Sequence, residues 1–167
     1  SLPFDSNIMI NAAAGLFILP FFLFSATAGE IADNMEKSVL IRRIKLAEIG
    51  IMSMVAVALW FENYVALFGL LFLMGTQSAF FGPVKYAILP KLVKPQGLVG
   101  ANALVEMGTF IAILAGTIVG GLLVGAQHAT LLISVCVVFF ALLGYAASRG
   151  VPRVCLLYTS DAADDCR

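Results

Sequence analysis

Charge is scarce in this sequence. Only 12% of its 167 residues are Asp, Glu, Lys or Arg, ten basic against ten acidic, for a net charge of zero at neutral pH. That balance excludes a broad nucleic-acid-binding surface and a basic tail held against anionic lipid, so no nucleic-acid partner is expected. There is one His and there are three Cys. His128 stands alone in a connector, and Cys136 lies in an apolar run, where a thiol reads as a small core side chain rather than a redox or metal site. Without a Ser-His-Asp set, a Gly-rich phosphate loop or paired metal ligands, the segment is not expected to be an enzyme, and no cofactor or metal is expected. The first ten residues, "SLPFDSNIMI", have no basic n-region, no small-residue cleavage site and no initiator Met. The chain is expected to begin inside a longer protein.

What is present is apolar. Hydrophobic residues make up 61% of the chain and mean hydropathy is +1.01, against roughly 45–50% apolar and 25% charged in soluble domains. A soluble helical domain of this size could not hide that surface, so an all-α polytopic membrane protein is expected. Five runs are long enough to cross a hydrocarbon core of roughly 30 Å as helices: about 8–28, 44–61, 64–89 with an interruption, 102–124 and 129–148. Lys37, Arg42, Arg43 and Lys45 fall between the first two runs, Lys91 and Lys94 between the third and fourth, and Arg149 and Arg153 after the fifth. The alternate connectors, "FENY" and "GAQHAT", carry no Lys or Arg. By the positive-inside rule the basic connectors are cytoplasmic and the amino end starts outside.

The first basic connector has its own logic. Gly29 is placed to end a helix in a left-handed conformation, and Asp33 to cap the amides of the next helix. Gly29, Ile31, Ala32, Asp33 and Lys37, spaced G-x-I-A-D-x-x-x-K, resemble the signature loop between the second and third helices of the major facilitator superfamily. Asn34 and Glu36 depart from it, standing where the family usually has a basic residue and a Gly. The resemblance implies a latch between the two halves of a transporter, formed by Gly29, Asp33, Lys37, Arg42 and Arg43.

In the third run, "FLMGTQSAFFGPVKYAILPKLV", Pro83 removes a backbone donor and Gly82 precedes it, so a kink or break is expected there. Lys85 just beyond can reach a lipid phosphate or Asp33, or snorkel to the interface. "FFGPVKYAILP" together with "GANALVEMGTFIAILAGTIVGG" resembles the lysophospholipid transporter branch of the same superfamily. That branch implies a lysophospholipid substrate flipped inward across the bacterial inner membrane, and a twelve-helix fold of which these would be helices two to six. The first helix and the carboxy-terminal half would then be missing, and the chain would need that half as its partner within the bilayer.

In the fourth run Gly108, Ala112, Gly116 and Gly120 recur every fourth residue, with Gly121 beside them, as a face on which another helix can pack closely. Drug/proton antiporters carry a related pattern with Pro after the central Gly, where this chain has Thr117, which argues against an antiporter. Three ionisable groups fall at membrane depth and are functional candidates by that fact: Glu48, Lys85 and Glu106. Glu48 is placed to pair with Arg43 or Lys45; Glu106 can pair with Lys85 or Lys94, bind an ammonium headgroup, or carry a proton. Gln77 and Asn102 offer hydrogen bonds to substrate or to a neighbouring helix, and Phe81, with Phe80 and Tyr86, can line an acyl path or pack on neighbours.

The tail breaks with all of this. "CLLYTSDAADD", which holds Cys155, with Cys166 just after it, resembles the in-frame translation of a sequencing adaptor. Residues 1–153 are therefore read as a partial transporter domain and 154–167 as non-native. Lysophospholipid transport is the expected function. The alternatives are the membrane part of a protein fused to an acyltransferase and acyl-carrier-protein synthetase, and another facilitator-type drug or metabolite antiporter.

Overall fold

The computed structural model describes residues 6–152; the tail reading, with Arg153, Cys155 and Cys166, lies outside them. Among the described residues all regular structure is helical: α1 (Ser6–Asn34), α2 (Lys37–Trp60), α3 (Tyr64–Ala87), a four-residue α4 (Leu89–Leu92), a 3-10 turn (Pro95–Gly97), α5 (Leu98–Val124) and α6 (Ala129–Arg149). This is an all-α, multi-pass membrane protein. Four of the five long helices are long and apolar enough to span. The fifth, α2, falls short because it carries Lys37, Arg42, Arg43, Lys45 and Glu48 along its first half.

That placement corrects the sequence reading, in which the four basic residues occupied a connector. The helix begins at Lys37, not near Ile44, and the connector shrinks to Met35 and Glu36. Two local expectations fall with it. Gly29 is inside α1 and no described Gly has positive φ, so it ends nothing. Asp33 sits exposed on the last turn of α1, and the cap of α2 is Glu36 instead. The Glu36 carboxylate accepts from the Ser38 amide at 3.1 Å and the Val39 amide at 2.8 Å, and from the Ser38 hydroxyl. A carboxylate one methylene longer than Asp reaches back to the same free amides that an Asp cap would satisfy.

α3 is not broken at Gly82–Pro83 either. The helix runs through Pro83 to Ala87, and the interruption falls at Ile88, just before Pro90. Ile88 keeps right-handed helical dihedrals (φ −82°, ψ −27°) and Pro90 stands in the first turn of α4, where its missing amide donor costs no intrahelical bond.

The helices pack in the order α1, α3, α2, α6, with α2 between α3 and α6, and α5 touching α6 only lightly. α1 meets α3 at Gly75, where a Cβ would collide with the Phe17 carbonyl oxygen and lie 3.1 Å from the Pro20 ring. Pro20 is fully buried in that crossing. Gly75 is thus the close-packing glycine of the bundle. Within this chain no helix packs on the fourth-run stripe: nothing lies within 4 Å of a Cβ built on Gly108, Gly116, Gly120 or Gly121, Ala112 is exposed, and α5 buries no residue.

The apolar core lies at one end, which we call the basic end. There Ala32, Leu40, Ile41, Ile44, Val84 and Ile88 cluster, with Phe80, Phe81 and Val151 against them. At the opposite end a cleft of about 510 Å³ is lined by Ser53, Val57 and Phe61 from the end of α2 and Leu70 of α3, among others.

Candidate functional site: two charged pairs in the bundle

Arg42, Lys45 and Glu48 are spaced three apart on α2 and so share one face, the face toward α3 and α6. The Lys45 ammonium pairs with the Glu48 carboxylate at 2.7 Å, and both side chains are less than one-fifth exposed. Gln77 of α3 donates to the same Glu48 oxygen at 3.0 Å. The ammonium also stands 4.7 Å from the centroid of the Phe81 ring and beside Gly144 of α6, where a Cβ would lie 3.4 Å from Nζ. Lys45 is eight residues into α2, about 12 Å along the axis. At that depth an unpaired charge would be costly, and the carboxylate, the amide and the ring together compensate it.

The second pair joins α3 to α5. Lys85 donates to the Thr109 hydroxyl at 3.3 Å, lies 3.8 Å from a Glu106 oxygen, and stands 4.7 Å from the Tyr86 ring centroid. Thr109 in turn donates to the Val105 carbonyl at 2.8 Å, so its oxygen is oriented to receive the ammonium. This pair is loose where the first is tight, and the Glu106 side chain is 43% exposed. A partner that offers both an anion and a cation can enter between such groups. It cannot enter the Lys45–Glu48 contact without breaking it.

The expected site residues therefore divide. Lys85 and Glu106 come together, as one of the readings of Glu106 had it. Gln77 and Phe81 do not join them but belong to the Lys45–Glu48 group, the helix-to-helix alternative for Gln77. Glu48 takes Lys45, not Arg43, which is exposed. Asn102 is half-buried, and His128 stands at the N-cap of α6 without a side-chain cap bond. Thr109, Gly144 and Gly75 were missed. Thr109 was legible, since it follows Glu106 by three residues on one helix face; the two glycines were not, because their neighbours are distant in sequence.

At the basic end Lys37 is buried at the first turn of α2, ahead of the apolar stretch. Burial pushes its pKa down, the Lys91 charge adds to that, and Asp33 and Glu36 oppose it. Asp33, Lys37 and Lys91 are thus close enough to feel one another, although Asp33 itself is exposed.

The model of the transmembrane secretion effector family matches residues 5–152. The chain belongs to this family. As a transmembrane secretion effector protein of the major facilitator superfamily it is grouped with transporters rather than enzymes. It is similar to the lysophospholipid transporter LplT of Photorhabdus laumondii, 30% identical over 141 residues, which cover 83% of this chain and 33% of that protein. The LplT of Serratia proteamaculans is 29% identical over the same share of each chain. That of Escherichia coli O1:K1 is 32% identical over 108 residues, 65% of this chain and 26% of that one. The chain spans about a third of the length of the first of these relatives. No solved structure matches it.

Proposed function

We propose that the chain is part of the amino-terminal half of a bacterial inner-membrane transporter that moves lysophospholipids, of the lysophosphatidylethanolamine kind, inward by alternating access. Three features support the reading: the names of its relatives, the apolar helices, and the Lys85–Glu106 pair. The pair carries it. A lysophosphatidylethanolamine headgroup has a phosphate and an ammonium, and a loose pair at 3.8 Å with both members partly solvated offers each its opposite charge. Thr109 adds a hydroxyl to the phosphate side, and the apolar flank of α5 runs from the pair along the membrane, where the single acyl chain belongs.

In this reading the basic end faces the cytoplasm, in keeping with the positive-inside rule. Asp33 belongs to a latch toward the remaining half of the transporter, with Gly29, Lys37, Arg42 and Arg43 as its other members, and of these Lys37 is the one whose charge feels Asp33 within this chain. An exposed carboxylate on the last turn of a helix is opposed by the helix dipole, and a cationic partner from elsewhere would relieve that. Rocking of two bundles about a central site is the usual mode of this architecture. A fused acyltransferase would add enzymatic activity through domains beyond this chain, and reading the contiguous gene decides that point.

The test is uptake of labelled lysophosphatidylethanolamine by cells that lack their own carrier and express the complete gene. Lys85→Ala should lower uptake about tenfold, the scale of one charge-assisted hydrogen bond, and Asp33→Ala should lower it as well. Uptake unchanged in both variants, or proton-driven efflux of an unrelated solute in its place, would overturn the reading.

A further inference from the structure

The carboxyl end of α6 is held by a side chain from another helix. Like every helix, α6 leaves its last carbonyls without amide partners. Two turn bonds meet part of that need, from the Gly150 amide to the Ala147 carbonyl at 3.0 Å and from the Val151 amide to the Ser148 carbonyl at 3.3 Å. Arg42 of α2 supplies further donors. Its Nε donates to the Ser148 carbonyl at 3.4 Å, and its Nη2 donates to the carbonyls of Arg149 at 3.3 Å and Val151 at 3.0 Å. One guanidinium thus spans the last turn of α6 and the first residue past its Gly150 cap.

The neighbours make this a built arrangement. Ser148 is buried, and its hydroxyl turns back to the Tyr145 carbonyl at 2.6 Å, leaving its own carbonyl for Arg42 and Val151. Val151 packs on the basic-end core, to which Ile41 and Ile44, on either side of Arg42, also belong. The first residue past the Gly150 cap is therefore held at the basic end, both by its carbonyl on Arg42 and by its side chain on the core.

We propose that Arg42 is a positioning residue for transport: it fixes where and in what direction the segment after α6 leaves the bundle, and so ties α2, which starts at the latch loop, to the connector toward the rest of the protein. This rests on the proposed transporter reading only in that a further half follows. A guanidinium suits the task because its donors diverge in a plane and reach several carbonyls at once, which an ammonium on the same stem does less well. Loss of Arg42 frees the exit segment without touching the Lys85–Glu106 pair. Substrate affinity should then persist while the rate at which the bundles interconvert falls.

The experiment uses the complete gene product in lipid nanodiscs and proteoliposomes. Arg42→Ala should speed hydrogen exchange at the Gly150 and Val151 amides about tenfold, on the scale of one charge-assisted bond. It should also lower maximal lysophosphatidylethanolamine uptake several-fold with the half-saturating concentration unchanged. Arg42→Lys should restore part of both, and Arg43→Ala, which removes the same charge from the exposed neighbour, should leave exchange at those amides as it was. Unchanged exchange in Arg42→Ala, or faster exchange with undiminished maximal uptake, overturns the positioning role. A parallel rise in the half-saturating concentration overturns it too, by placing Arg42 in substrate binding. If the unaltered protein takes up no lysophospholipid while Arg42→Ala still speeds exchange, the substrate assignment fails and the anchoring of the exit stands.

Discussion

α2 and α5 are opposites. Among the described residues α2 is the one long helix too charged to qualify as a span by composition, yet it lies between two neighbours and buries Lys37, Ser38, Leu40, Ile41, Ile44 and Ala58. α5 qualifies as a span, carries the regular small-residue stripe, and buries nothing against the other helices of this chain. In water the more apolar helix would be the buried one. In lipid the hydrocarbon solvates apolar side chains as well as a neighbouring helix does, so association depends on close backbone approach and polar contacts. α2 has Arg42, Lys45 and Glu48 for that purpose. On α5, among the described residues, Glu106 and Thr109 are the ones that reach another helix through polar groups.

Three substitutions sharpen this contrast, each measured as unfolding by denaturant titration in mixed micelles. The largest effect belongs to Gly75→Val, whose branched side chain must displace the α1 backbone at Phe17 and the Pro20 ring; a loss of about 3 kcal/mol is expected, at the upper end for overpacking. Glu48→Ala comes next. It strands the Lys45 ammonium and the Gln77 amide at membrane depth, and about 1–2 kcal/mol should be lost, as for polar contacts between membrane helices. Smallest is Gly116→Ala, since nothing lies within 4 Å of the added methyl group. Stability should not fall, and the better helix propensity of Ala should raise it by up to about 1 kcal/mol. A loss like that of Gly75→Val would show that another helix covers the stripe and would erase the contrast.

The same contrast separates what could be read from the chain and what could not. The spans were legible, because apolar runs of sufficient length with charged or Pro/Gly interruptions are a one-dimensional signal, and the ends of α3, α5 and α6 fall near where those interruptions lie. Local caps were half-legible. The need for an acidic residue before α2 was foreseen, but Glu36 meets it and Asp33 does not, because a shift of one turn in where α1 stops is invisible to composition. The Lys45–Glu48 pair follows from i, i+3 spacing on one helix. The Lys85–Glu106 contact was legible as one of several pairings open to Glu106, but the Gln77–Glu48 bond and the Arg42 contacts with α6 were not, since their partners are 29 and more than 100 residues apart.

The amino-acid sequence by itself determined that this protein lives in a membrane as a set of helices, because the cost of placing polar backbone and charge in hydrocarbon acts on each segment independently. Only the tertiary structure decided which of those helices meet. A periodic stripe of small residues records the capacity for close approach, and a Gly such as Gly75 with no pattern around it records nothing. Which one is used depends on the shape of a partner far away in the chain, here the Phe17–Pro20 turn of α1.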